Sequence, residues 1–320
     1  MRPQAEAMHP LRVDLGQALH DRSLVGGKGA SLSELFVIGA PCRPPAFALT
    51  TTAYATFATA NALPACVVET TMEDLPNIRQ SIMTAPLGDR ILDAIGDIRR
   101  VLIERDGTAD AAVAVRSSGT AEDSAAHSFA GLHDSVLDVR TRPGLESAVR
   151  RCWASLWSDR AVAYRREHGL ADEPVEIAVV VQRLVRPDVS FVVFTADPLG
   201  GDSDRVVISA SWGLGEAVVS GLVTPDHIAV GSRGDILEYS VGVKERMVIP
   251  GTSSEGGSRV VAVPRAMQTT PVMSGTQAAE IATLARTVAD RLGYPADLEG
   301  AIAGDRIYLF QARPITTIGR

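Results

Sequence analysis

Apolar residues recur along this chain with two different periods. Ile91, Leu92, Ile95, Ile98, Val101 and Leu102 fall on one stripe at helical spacing, so residues 72–106 are predicted to be amphipathic helical scaffold. Ala111-Ala-Val-Ala-Val is apolar without alternation, the pattern of a strand buried on both faces. Residues 175–184 and 189–194 predict two more strands around the turn Arg186-Pro-Asp, and the chain reversal there is a natural boundary between lobes. Residues 145–168 predict a helix that buries Trp153, Leu156 and Trp157, and residues 276–292 predict another, stopping at Gly293. The Gly/Ser-rich residues 250–258 read as a flexible loop. Near the end, Asp297-Leu-Glu-Gly-Ala-Ile and Ile307-Tyr-Leu-Phe-Gln-Ala-Arg-Pro predict a hairpin turning near Gly304-Asp305.

Composition narrows the classes. With 320 residues, 46% hydrophobic and 22% charged, the chain is long enough for two domains or one bilobed unit, and disorder, collagen and coiled coil are excluded. The longest apolar stretch, 175–194, is interrupted by Glu176, Gln182, Arg183, Arg186 and Asp188, short of the ~20 apolar residues a spanning helix needs. The first residues carry no apolar signal-peptide region, and Cys42, Cys66 and Cys152 have no CxxC spacing, so a reducing cytoplasm and no membrane association are expected. A formal charge of -7 argues against nucleic acid as partner but leaves small anions open. Lys28 and Lys244 are the only lysines among 31 basic residues, which singles out both positions as places where a compact ammonium is wanted.

Three segments carry candidate chemistry. Leu24-Val-Gly-Gly-Lys-Gly-Ala-Ser reads as a Gly-rich turn entering a helix, whose backbone amides favour an anion, although the spacing is not that of a P-loop. Arg116-Ser-Ser-Gly-Thr ends a buried strand with a guanidinium and three hydroxyls, a donor set that suits phosphate; the alternative is an Arg paired with Glu122 or Asp123. The small, polar residues 121–134 have the composition of a closing loop. Gly213 and Gly215 lack the third glycine of a dinucleotide fingerprint. In the last hairpin, strict alternation puts Ile307, Leu309, Gln311 and Arg313 on one face. A two-residue loop opposes Glu299 to Phe310; a three-residue loop opposes it to Gln311, gathering carboxylate, amide oxygen and guanidinium into a trio suited to a hard divalent ion beside a phosphate.

Together, Val25-Gly-Gly-Lys-Gly-Ala-Ser-Leu, Val115-Arg-Ser-Ser-Gly-Thr-Ala-Glu-Asp with Ser128-Phe-Ala-Gly, Phe194-Thr-Ala-Asp-Pro, Gly213-Leu-Gly-Glu-Ala-Val-Val-Ser-Gly with Thr224-Pro-Asp, and Gln311-Ala-Arg-Pro-Ile-Thr resemble the ATP-binding domain of the phosphoenolpyruvate synthase, pyruvate phosphate dikinase and rifampin phosphotransferase family. The motifs run in family order over residues 20–317. The resemblance implies an α+β, ATP-grasp-like fold of two lobes, here 12–188 and 189–317 after an extension 1–11, with ATP in the cleft between them. It implies that Lys28, Arg116 and Arg313 act on phosphates, with Ser117 and Gly131 beside them. The strand ending Gln182-Arg-Leu-Val, through Gln182 and Leu184, would meet adenine and Glu216 the ribose. Glu299 and Gln311 would bind Mg²⁺, and the loop 125–131 would cover the transferring group.

The function so implied is transfer of a pyrophosphoryl group from ATP to a His, releasing AMP, then loss of phosphate and donation to a small-molecule acceptor. None of the six histidines stands in a phosphocarrier context, His127 and His133 of the loop included, so the expected partner is a separate protein bearing the phosphohistidine. The alternatives are a stand-alone kinase or ligase that yields ADP, and a nucleotide-sensing module without turnover. The chain departs from the family's common pattern in having Gly300 where Trp follows the metal-binding Glu, Leu132 in place of Gln, and Ser190-Phe191 in place of Ser-Gly.

Overall fold

The computed structural model describes residues 10–41, 43–108, 111–120, 135–196, 205–253 and 255–315. Gly131, the loop 125–131 and His127, Leu132 and His133 lie outside the described residues. The chain divides into two compact units, Met1–Ala30 with Pro45–Arg183, and Ser31–Pro44 with Leu184–Arg320. The division falls five residues before the sequence boundary, and it assigns residues 31–44 to the second unit. Each unit is mixed helix and sheet, so the fold is α+β.

The first unit contains β1 (Arg12–Asp14), the start of α1 (Arg22–Val37), β2 (Ala46–Leu49), α2 (Thr51–Ala60), α3 (Leu75–Thr84), α4 (Asp89–Asp106), β3 (Val113–Gly119), β4 (Ser135–Val139), α5 (Arg142–Ser155), α6 (Asp159–Glu167) and β5 (Ile177–Arg183). Its strands form a five-stranded antiparallel sheet in the order β1-β2-β5-β3-β4. One face buries Phe47, Leu49, Val113, Val115, Ile177, Val179 and Val181 under helices α2 to α6. The single helix expected over 145–168 is two, because the chain turns after Ser155 and Ser158 caps α6 by accepting the Ala161 N–H at 3.2 Å. Trp153 and Trp157 sit in the core as expected, and the Trp157 Nε1–H donates to the Tyr54 hydroxyl at 2.9 Å.

The second unit contains β6 (Val189–Phe194), β7 (Val206–Trp212), the short α7 (Glu216–Val219), β8 (Asp226–Val230), β9 (Ile236–Ser240), β10 (Arg246–Pro250), β11 (Ser258–Ala262), α8 (Arg265–Gln268), α9 (Gly275–Leu292), β12 (Ala296–Ala303) and β13 (Arg306–Pro314). Its main sheet is antiparallel, ordered β13-β12-β6-β7-β8-β9, and the Gly/Ser-rich segment joins β10 to β11 as a separate hairpin. One face packs Val193, Ile208, Ile228, Leu298 and Leu309 against Ile281, Ala285 and Val288 of α9. That helix starts with a capping box between Ser274 and Gln277 and ends at Gly293 with φ 80°, the left-handed conformation that glycine takes without penalty.

Candidate functional site

In the first unit the predicted residues gather on the face of the sheet turned away from the helices. Arg116 is register-paired with Val180, Ser118 with Ala178 and Ala114 with Gln182, so period two puts Arg116, Ser118, Val180 and Gln182 on one face. Small residues leave room there for the Gly-rich segment. The Ser118 hydroxyl donates to the Val25 carbonyl at 2.8 Å and accepts the Gly29 N–H at 3.1 Å, which fixes the turn carrying Lys28. Gly26 breaks α1 with φ 70° and ψ 179°, and a Cβ at this position would collide with the Ser118 carbonyl, so both backbone conformation and close approach demand glycine. Ser117 projects from the opposite face and is 1% exposed. Gln182 is also buried, yet its Nε2 donates to no acceptor among the described residues. An orphaned amide donor of this kind suits a ligand acceptor such as a ring nitrogen.

In the second unit the last hairpin builds the other set. Glu299 is register-paired with Gln311 and Asp297 with Arg313, and the Arg313 Nε–H donates to Asp297 Oδ2 at 2.6 Å. Carboxylate and amide therefore stand opposite each other, as a three-residue loop would place them. The loop is nevertheless the two-residue one, because Ala303 pairs with Arg306. A bulge between Glu299 and Gly300 absorbs the extra residue, Phe310, and shifts the register. It also corrects the expectation that Ile307, Leu309, Gln311 and Arg313 share a face. Leu309 and Ala312 belong to the core, whereas Gln311 and Arg313 turn to the other side with Asp297 and Glu299.

Two of the departures meet in one contact. Gly300 is paired directly with Phe191 of β6, whose ring fills the space where a Cβ on Gly300 would stand. Against the pattern the resemblance implies, a large residue after Glu299 and a small one on the facing strand are here a small and a large, on the core side of the sheet.

Glu216 opens α7, and its Oε2 accepts the Ser258 hydroxyl at 2.6 Å from the β10–β11 hairpin. Lys244, in contrast, is fully buried in an ion pair with Asp226, and its Nζ also donates to the Gly242 carbonyl at 2.8 Å. Asp226 further accepts the N–H groups of Gly242 and Val272 at 3.0 and 2.8 Å. This second lysine braces the loop 241–245 instead of facing a ligand, and it carries the Asp of the Thr224-Pro-Asp motif with it.

Sequence reasoning missed Asp297 and counted the Ser118 hydroxyl among the phosphate donors, whereas it holds the Gly-rich turn. Asp297 carried a signal, since it lies two residues from a selected strand residue, Glu299, and so shares its face. The donor set of the hairpin fits Mg²⁺, a hard ion usually held by one or two protein oxygens together with substrate phosphates. No group of three or more His, Cys, Asp and Glu able to hold a metal occurs among the described residues, and no helix among them is long and apolar enough to cross a membrane.

Comparison with known proteins bears out the family resemblance. A probable phosphoenolpyruvate synthase of Methanothermobacter thermautotrophicus is 39% identical over 312 residues, covering 93% of this chain and 45% of the relative. A rifampicin phosphotransferase of Streptomyces sviceus is 37% identical over 304 residues, covering 92% and 34%, and a phosphoenolpyruvate synthase of Pyrococcus furiosus 34% identical over 349, covering 93% and 43%. The chain thus spans less than half the length of these relatives. Among solved structures, an L-amino acid ligase from Bacillus licheniformis matches 78% of this chain and 56% of its own at 13% identity and a TM-score of 0.27, too low to carry an argument about the fold. The family described as pyruvate phosphate dikinase, AMP/ATP-binding domain matches residues 22–320, and the chain belongs to it.

Proposed function

We propose that the protein is the ATP-binding part of a dikinase-type phosphotransferase, passing a pyrophosphoryl group from ATP to a His on a separate protein and releasing AMP. The observation that carries this reading is the register of the last hairpin, which sets Glu299 against Gln311 with Arg313 beside them and so supplies oxygen ligands next to a phosphate-binding cation. Glu299 and Gln311 would hold Mg²⁺, which supplies neutralisation of phosphate charge when bound. Lys28, Arg116 and Arg313 bind and orient phosphate oxygens, and their charge offsets that of the transferring group. Gln182 and the backbone after it, through Leu184, receive the base, and Glu216 accepts from a ribose hydroxyl while Ser258 holds its other oxygen. Gly131 would complete the phosphate contacts, whereas the Ser117 side chain lies on the opposite, core-side face of the sheet and is left out of them. The acceptor that finally takes the phosphoryl group is a small molecule, as the names of the relatives suggest for their own reactions.

The test is nucleotide product analysis with ATP and Mg²⁺, with and without a phosphohistidine-bearing partner protein. AMP that requires the partner is expected. ADP formed by this chain and a small molecule alone would mean a direct kinase or ligase and would overturn the reading. Glu299→Ala and Gln311→Ala should each abolish Mg²⁺-dependent turnover in a folded protein, and full activity in either would sink the metal assignment.

A further inference from the structure

β13 is the edge strand of its sheet, so every second residue directs its N–H and C=O away from β12 with no neighbouring strand to receive them. At Ala312 a single side chain takes the place of that missing strand. The Ser31 hydroxyl accepts the Ala312 N–H at 3.0 Å and donates to the Ala312 carbonyl. Both residues are buried, Ser31 at 7% and Ala312 at 2% exposure, so water is a poor substitute for either bond. By alternation, the backbone groups of the flanking Gln311 and Arg313 turn inward to β12, and their side chains lie on the face opposite that of Ala312.

We infer that Ser31 is a positioning residue for the metal and phosphate groups: it clamps the one outward-facing peptide position between Gln311 and Arg313 and so fixes where both side chains point. The inference rests on the proposed roles of Gln311 and Arg313. It also gives the last polar residue of the Gly-Gly-Lys-Gly-Ala-Ser segment a task unlike that of Lys28, three residues earlier: it holds backbone, whereas Lys28 meets phosphate. An alanine at 31 leaves the Ala312 N–H and C=O buried without partners, and the cheapest relief is for this part of β13 to lift from the edge, carrying Gln311 and Arg313 with it.

The experiment uses the full chain and two readouts. Amide hydrogen exchange of wild type, Ser31→Ala and Ser31→Thr reports the clamp directly: exchange at Ala312 should rise at least about tenfold in Ser31→Ala, while Ser31→Thr, which keeps a hydroxyl, stays closer to wild type. ATP affinity is then measured calorimetrically with Mg²⁺ and again in excess chelator. Ser31→Ala should lose about tenfold of the affinity with Mg²⁺ and little of the metal-free affinity, in the range found when the residues that orient metal ligands are removed. An equal loss in both conditions would make Ser31 merely structural and overturn the inference, as would unchanged exchange at Ala312. Gln311→Ala, measured in parallel, separates the two failures. If it too leaves the Mg²⁺-dependent part intact, the metal assignment falls and the inference falls with it; if it removes that part while Ser31→Ala does not, only the positioning role is lost.

Discussion

Asp226 and Lys244 are both fully enclosed, whereas Asp297 and Arg313, on the same side of the chain's division, leave 31% of the arginine side chain open to solvent. The two pairs have the same formal chemistry and opposite exposure. In the sealed pair every bond is internal: Asp226 accepts from two backbone N–H groups as well as from Lys244, and Lys244 adds the Gly242 carbonyl. Nothing remains to offer a ligand, and the pair ties β8, the loop after β9 and the segment before α9 together. In the open pair the buried carboxylate holds the Nε edge of a guanidinium that is partly exposed. A positioned cation that solvent can still reach suits a phosphate.

The sharpest way to break this contrast is to remove the lysine. Lys244→Met keeps the volume and leaves Asp226 charged in a sealed site, which should cost about 3–5 kcal/mol in urea unfolding. ATP affinity of the folded fraction should not change. A cost below about 1 kcal/mol would mean that the pair is not the brace its burial implies.

The next effect probes what stands behind the open pair. Gly300→Trp restores the residue common in the family but drives a ring into Phe191 and should destabilise by about 2–3 kcal/mol. Phe191→Gly alone leaves a cavity and should also destabilise, and the double variant should recover only the part due to Phe191, because a Cβ at 300 also meets the Tyr308 carbonyl. Additive losses in the double variant would show that the two departures from the family pattern are unrelated.

Arg313→Met sharpens the comparison from the other side. The guanidinium is partly exposed but its partner Asp297 is buried, so the stability loss should be about 2 kcal/mol, below that of Lys244→Met. ATP affinity should fall about tenfold or more, the worth of a charge-assisted hydrogen bond to phosphate. A variant that binds ATP normally would remove Arg313 from the site.

These contrasts also explain what could be read beforehand. Strands β5, β6 and β12 and helix α9 were legible because their apolar runs and caps are local properties of the sequence. So was the pairing of Glu299 with Gln311, although for the wrong reason. Alternation cannot reveal a bulge, since the extra residue Phe310 is apolar like Leu309 before it, and only the facing strand shows that Gly300 yields to Phe191. Composition alone could not separate the two lysines, although the Gly-rich segment singled out Lys28 as the phosphate candidate. Lys28 and Lys244 are equally rare in composition, but the burial that distinguishes them depends on Asp226, Gly242 and Val272, which converge only in three dimensions. Ser31 gave no sign of its tie to Ala312, 281 residues away.

The smallest predicted effect concerns pH and the sealed pair. The Tyr239 hydroxyl meets the Met273 carbonyl at 2.9 Å and Asp226 Oδ2 at 3.3 Å, with Lys244 on the other oxygen of the same carboxylate. Burial, and next the negative charge of Asp226, push its phenol above the ordinary value of 10.0, against the Met273 bond, which pulls the other way. The unfolded chain therefore releases this proton at lower pH than the folded one does. The contribution of Tyr239 to stability is full below pH 10 and declines as pH rises beyond it, because only the unfolded state then gains from ionisation. Tyr239→Phe cannot titrate, and all other tyrosines are common to both proteins. The stability difference between wild type and Tyr239→Phe should hence be constant from pH 7 to about 9.5 and shrink above that. A difference that stays constant to pH 11 would mean that the phenol ionises alike in both states, and the surroundings of Asp226 would then be more open to water than those of a sealed pair.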